Sequence, residues 1–168
     1  MAIPRAAISS SACTTAKVAR DAVKNGYFAT RSHATDPLLC AAGTESLNIV
    51  EEEGMAGKAA LIERRIKSAF QKMAKEFELI GDIRGRGVLL GIEFVSDREK
   101  KTSANDATRK IFDYCFSKGL IFQIRGTRGL QNVIRLVPPM TTTKRELDRA
   151  LSILYDSIKN ASRLKRRS

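Results

Sequence analysis

The segment Val88 to Val95 sets the kind of fold open to this chain. Val88, Leu90, Ile92 and Phe94 alternate with Leu89, Gly91, Glu93 and Val95. Side chains alternate across a strand, so both sides of this one are largely apolar and call for cover. Long amphipathic segments can supply it. Between about Met55 and Phe77, residues Ile62, Ile66, Phe70, Met73 and Phe77 recur at helical spacing, with Arg64, Lys67, Lys72 and Lys75 largely off that stripe. Ala107, Ile111 and Cys115, with Phe112 and Tyr114, mark a further helix ended by Gly119. Thr143-Lys144-Arg145-Glu146 reads as a capping box, followed by Leu147, Leu151, Leu154 and Ile158 on one face.

The remaining elements are shorter. Residues 3–11 are small and weakly apolar and suit a short strand or buried edge. Thr14 to Asn25 predicts a helix stopped by Gly26. Asp36-Pro37 predicts a helix start, because Asp can cap free N–H groups and Pro fits the first helical position. That helix runs through Leu39, Ala42, Ser46 and Ile49 to Glu51–Glu53, whose charges oppose the helix dipole and so call for a solvated last turn. Ser96 to Asn105 reads as a polar loop. Leu120–Ile124 and Val133–Val137 predict two strands joined by the turn Gly126-Thr127-Arg128-Gly129, the second ended by Pro138-Pro139. The order predicts an α+β domain, with helices packed on one face of a small, largely antiparallel sheet.

Composition bounds the partners. The chain has 168 residues, 43% of them hydrophobic, enough for one core; without Trp and with 6% aromatics, that core rests on aliphatic residues and Phe. The net charge is +12, which raises nucleic acid or an anionic membrane as partners. Against this, Arg and Lys are spread through the amphipathic stretches among Glu and Asp. The one dense basic run is the tail Arg163, Lys165, Arg166, Arg167. Cys13, Cys40 and Cys115 are an odd set without CxxC spacing, and His33 stands alone, so neither a disulfide framework nor a multi-histidine metal site follows. Reduced cysteines make the cytoplasm the default compartment. The first 20 residues, rich in Ala, Ser, Thr, Arg and Lys and free of acids, also have the composition of a mitochondrial leader.

Three motifs invite a chemical reading. Arg84-Gly85-Arg86-Gly87 could be an RNA-binding RG segment, but glycine in a tight turn explains it better. Ser32-His33-Ala34-Thr35-Asp36-Pro37 gathers hydroxyls before a helix start, which suits an anion or ordinary capping. Arg135 sits inside the apolar strand Val133–Val137. It is either a surface Arg on an edge strand or a guanidinium placed for a planar carboxylate, which it would bind through two parallel hydrogen bonds.

Taken in order, these pieces resemble class III aminotransferases, within the fold-type I group of pyridoxal-phosphate enzymes. The resemblance is carried by Leu79 to Glu93, by Val133-Ile134-Arg135-Leu136-Val137-Pro138-Pro139 with Thr143-x-x-Glu146-Leu147-Asp148, and by Ser32 to Leu38, the last nearest the dialkylglycine decarboxylase branch. It implies pyridoxal phosphate as cofactor, a homodimer, and amino-group transfer between an amino acid or amine and a 2-oxo acid. It also implies roles for single residues. Arg135 would bind the substrate carboxylate. Ser32, where the family usually has Thr, would reach the cofactor phosphate of the partner subunit. Asp36 would align with an acid that helps hold an alkali-metal ion, although helix capping is the use favoured for it here.

Ile3-Pro4-Arg5-Ala6-Ala7-Ile8 resembles the strand that follows the cofactor lysine, which favours a folded segment over a leader. That lysine would lie just before this match, and Lys17 and Lys24 fall in the wrong segment to replace it. The expectation is therefore a C-terminal portion, inactive alone. Residues 1–35 would be a remnant of the large cofactor domain, 36–54 the interdomain helix, 55–160 the small C-terminal domain and 161–168 a basic tail. Two other readings stand beside it: a basic nucleic-acid-binding module, and a non-catalytic dimerisation partner of a longer paralogue.

Overall fold

The structure is a computed structural model and describes residues 16–26, 37–126 and 131–165. These fall into two units that divide between Met55 and Ala56. In the first, α1 spans Ala16–Lys24 and α2 spans Pro37–Glu52. α2 begins at the expected proline, and Glu51, Glu52 and Glu53 are exposed, which fits the need for a solvated last turn. The other cap residue of that start, Asp36, lies outside the described residues, as does the strand expected at 3–11.

The second unit contains the sheet. Its elements are α3 (Met55–Glu76), β1 (Ile80–Arg86), β2 (Leu89–Asp97), β3 (Thr102–Ser103), α4 (Asn105–Ser117), β4 (Gln123–Arg125), β5 (Val133–Leu136) and α5 (Lys144–Lys165). The strand order is β1-β2-β5-β4, with β3 pairing β2, and all pairings are antiparallel. This is the expected α+β architecture, with four differences; the first is that Ser96 to Asn105, expected as a loop, holds the end of β2 and the strand β3, which pairs with β2. Residues 80–86, whose glycines suggested a turn, form a strand because they pair along β2 from Ile80 opposite Phe94 to Arg86 opposite Leu89. β4 starts at Gln123 rather than Leu120. α5 continues to Lys165, so Arg163 of the basic tail is helical.

One face of the sheet carries the core. Leu90, Ile92, Phe94, Ile134 and Leu136 are buried against Ile62, Ile66 and Phe70 of α3, Ile111 and Cys115 of α4, and Leu151, Leu154 and Ile158 of α5. Ile92, Phe94 and Ile134 are fully enclosed, so truncating any of them would leave a cavity. The helical stripes read from the sequence are therefore the buried ones. The capping box of α5 is formed as expected: the Thr143 N–H donates to Glu146 Oε2 at 2.8 Å, and the Glu146 N–H to Thr143 Oγ1 at 3.3 Å.

The β1–β2 hairpin is pinned to α3 at both ends. At its turn, the Gly87 N–H donates to Glu63 Oε2 at 2.6 Å and Lys67 Nζ donates to the Gly85 carbonyl at 2.8 Å. At its open end, the Arg98 guanidinium donates to the carbonyls of Ala74, Phe77, Glu78 and Ile80 at 2.6–3.1 Å. It thereby satisfies carbonyls left free where α3 stops, and a cation there complements the helix dipole. Among the described residues, no helix is long and apolar enough to cross a membrane.

Candidate functional site

The opposite face of the sheet carries the charged residues. Strand pairing places Arg84, Gly91, Arg135 and Gln123 in one row across β1, β2, β5 and β4. Asp82, Glu93, Val133 and Arg125 make the adjacent row. Side chains of one row share a face, so three guanidinium groups and two carboxylates stand together here. On this face Val95 is buried and Gly91 and Glu93 are half-buried, whereas Leu89 is exposed, so the strand expected at 88–95 to be covered is covered over part of its length.

The two acids are taken by one arginine. Arg84 Nη1 contacts Glu93 Oε2 at 2.5 Å and Asp82 Oδ2 at 2.9 Å. The hydrogen bond from Arg84 is the main cause that holds the Asp82 carboxyl below its ordinary range, and the bonds to Glu93 and Asp82 push the Arg84 pKa up. Asn132, buried just before β5, donates from Nδ2 to the Phe94 carbonyl at 2.9 Å and to Glu93 Oε1 at 3.4 Å. It therefore fixes the β2–β5 register and occupies the second oxygen of Glu93. Arg84 of the RG segment is thus a strand residue engaged within the hairpin.

Arg135 is treated differently. Its Nη2 donates to Gln123 Oε1, which also accepts from Arg125 Nη2 at 2.8 Å. Among the described residues, its buried Nε has no hydrogen-bond partner and no carboxylate pairs with it. A buried donor left unpaired costs about 1–3 kcal/mol, a cost that an incoming anionic oxygen removes. Gly91 beside it has no side chain, and a Cβ there would meet Val133 Cγ1 only at 3.5 Å and Arg84 Cγ at 3.8 Å. A Cβ at Gly91 would thus sit in ordinary contact with its neighbours, and the glycine leaves the row without a side chain between the two arginines.

Of the site residues read from the sequence, Arg135 is the one described. Ser32 and Asp36 both lie outside the described residues. Gln123, Arg125 and Asn132 carry no signal in the sequence, because only strand register brings them to Arg135 and Glu93.

The antiparallel sheet with helices on one face matches the small C-terminal domain of fold-type I transaminases. The class-III aminotransferase family pattern matches residues 7–158, and the chain belongs to that family. It is 35% identical over 135 residues to the alanine–glyoxylate aminotransferase 2 homolog 2, mitochondrial, of Arabidopsis thaliana, covering 80% of this chain and 28% of that protein. It is 34% identical over 127 residues to the (R)-1-hydroxy-2-aminoethylphosphonate ammonia-lyase of Vibrio splendidus, covering 76% of this chain and 26% of that one. Among solved structures, an amine transaminase from an uncultivated Pseudomonas species, in its PLP-bound form, superposes with a TM-score of 0.70 at 25% identity, covering 84% of this chain and 33% of that one. The chain thus spans between 26% and 28% of the length of these two curated relatives.

Proposed function

We propose that this sequence is the C-terminal portion of a pyridoxal-phosphate-dependent aminotransferase in which Arg135 binds the carboxylate of the substrate. The observation that carries the reading is the buried, unpartnered Nε of Arg135 on a sheet face whose acids are both engaged elsewhere. A guanidinium recognises a carboxylate through two parallel donors, which fixes the substrate's orientation as well as its charge. Family membership and the PLP-bound relative support pyridoxal phosphate as the cofactor. When bound, that cofactor supplies an electron sink for charge developing at the substrate's α-carbon. The part left to Arg135 is to hold the acid group so that the α-carbon faces it.

The family resemblance supplies the finer assignments. Ser32 contacts the cofactor phosphate of the partner subunit in a homodimer. Asp36 lies beside an alkali-metal ion if the protein belongs to the decarboxylase branch. Residues 1–35 belong to the large domain, 36–54 form the interdomain helix and 55–160 the small domain. The reaction is amino-group transfer between an amino acid or amine and a 2-oxo acid, with decarboxylation as the variant the Ser32–Leu38 wording favours.

Two measurements test this. In an enzyme that carries this sequence as its C-terminal portion, Arg135→Lys loses the two-pronged geometry, and KM for the carboxylate substrate rises about tenfold or more. An unchanged KM refutes the clamp. The 168-residue chain itself, mixed with pyridoxal phosphate and reduced with borohydride, should yield no stoichiometric adduct at a single lysine. Such an adduct would show that one of its own lysines serves the cofactor.

A further inference from the structure

We propose that Gln123 is the positioning residue of the carboxylate site: its amide oxygen holds the Arg135 guanidinium as a neutral stand-in, and the ligand's carboxylate oxygen displaces it. This rests on the carboxylate role proposed for Arg135, but its warrant is separate. Gln123 lies directly opposite Arg135 in the β4–β5 pairing, and Arg125 follows two residues later on the same side of β4. Both guanidinium groups donate to the one oxygen of Gln123.

The chemistry of that oxygen decides what it can do. An amide oxygen accepts hydrogen bonds without carrying net charge. It therefore orients two cations and leaves their charge uncancelled. Asp82 and Glu93 stand in the neighbouring row, yet both are held by Arg84, and Glu93 by Asn132 as well. Arg135 and Arg125 thus share a neutral acceptor on a face where acids are present and engaged elsewhere.

The donors of Arg135 fit an exchange. Carboxylates bind guanidinium through adjoining N–H groups, and the edge formed by Nε and Nη2 offers two. Here Nε has no partner and Nη2 is held by Gln123. A carboxylate laid along that edge meets one donor that lacks an acceptor and one that Gln123 gives up. Gln123 is exposed, so its side chain can turn into water, where its own polar groups remain satisfied. The ligand this describes is a small amino or oxo acid presenting one carboxylate.

The 168-residue chain is sufficient for the test. The Arg135 Nε–H resonance is followed by proton–nitrogen correlation spectroscopy during titration with pyruvate, alongside the melting temperature. In the parent chain the resonance should move and saturate. In Gln123→Glu a permanent carboxylate occupies the fork, so the pyruvate response should weaken by about tenfold or more while the melting temperature holds or rises. Gln123→Leu removes the acceptor that orients the guanidinium without adding charge, so its response should weaken less than that of Gln123→Glu, while its melting temperature falls below that of Gln123→Glu. Equal pyruvate affinity in the parent and Gln123→Glu overturns the inference and leaves the carboxylate reading of Arg135 standing. Equal weakening in both variants, with equal losses of melting temperature, overturns it as well, because it makes Gln123 merely structural. No response in the parent overturns both.

Discussion

Gly85 shows how much can hang on the absence of one side chain. It sits at φ +121°, and a Cβ there would come within 2.1 Å of the Leu89 carbonyl oxygen and 2.9 Å of Leu90 Cα. Backbone on both sides of the contact leaves no flexible atom to yield. Gly85→Ala should therefore cost about 2–3 kcal/mol or more in urea unfolding, through strain and displacement of the turn. At this scale the sequence is informative where a residue contradicts its surroundings. Arg135 stands out in the sequence itself, as a charge within the apolar run Val133–Val137. Gln123 and Asn132 give no such signal, since a polar residue beside a loop is ordinary. Arg98 is equally silent, because its partners are backbone carbonyls, which carry no residue identity.

Among elements, helices are easier to read than strands. The period of Ile62, Ile66, Phe70, Met73 and Phe77 is local, and so is the Thr143–Glu146 box, so each declares its helix without help from elsewhere. β1 has no such internal pattern: Gly81, Gly85 and Gly87 look like turn residues, and only pairing with β2 makes the segment a strand. The α5 cap yields a direct expectation. Thr143→Ala removes the hydroxyl that the Glu146 N–H reaches, and should lower stability by about 1 kcal/mol, measured by urea denaturation. Elements also share a response to acid. Glu63, held by Lys67 and the Gly87 N–H, Asp82, held by Arg84, and Glu146, held by Thr143, all have pKa values below their ordinary ones. Each therefore binds its proton more weakly in the folded state than in the unfolded one. Their contribution is complete at neutral pH, above the unfolded values, and is lost as pH falls through the folded values. The urea midpoint should decline between about pH 5 and pH 2, and Glu63→Gln should flatten that decline. An unchanged slope in the variant would show that Glu63 contributes nothing to the acid response.

At the scale of the second unit, one end of the charged side of the sheet is apolar. Leu89, Ile121 and Val137 continue the alternation of Gly91, Gln123 and Arg135, and are exposed by 56%, 74% and 54%. Three such residues at one edge make an apolar surface of the sort that binds partners or promotes association. The 168-residue chain should bind a hydrophobic fluorescent dye, and Leu89→Ser with Ile121→Ser should reduce that signal while leaving the melting temperature within about 2 °C. A dye signal that persists in the double variant would place the apolar surface elsewhere.

The two attachments of the β1–β2 hairpin to α3 also set a dimension. From Glu63 to Phe77 the helix advances about 21 Å, and from Gly87 back to Ile80 the strand covers about 23 Å. The two lengths match, so α3 acts as a ruler for the hairpin laid along it. One residue added to or removed from either element would bring only one attachment into reach. Insertions should therefore be tolerated before Ala56 or within Glu99–Lys101 far better than between Glu63 and Arg98, a pattern that an insertion scan read out by soluble yield would reveal.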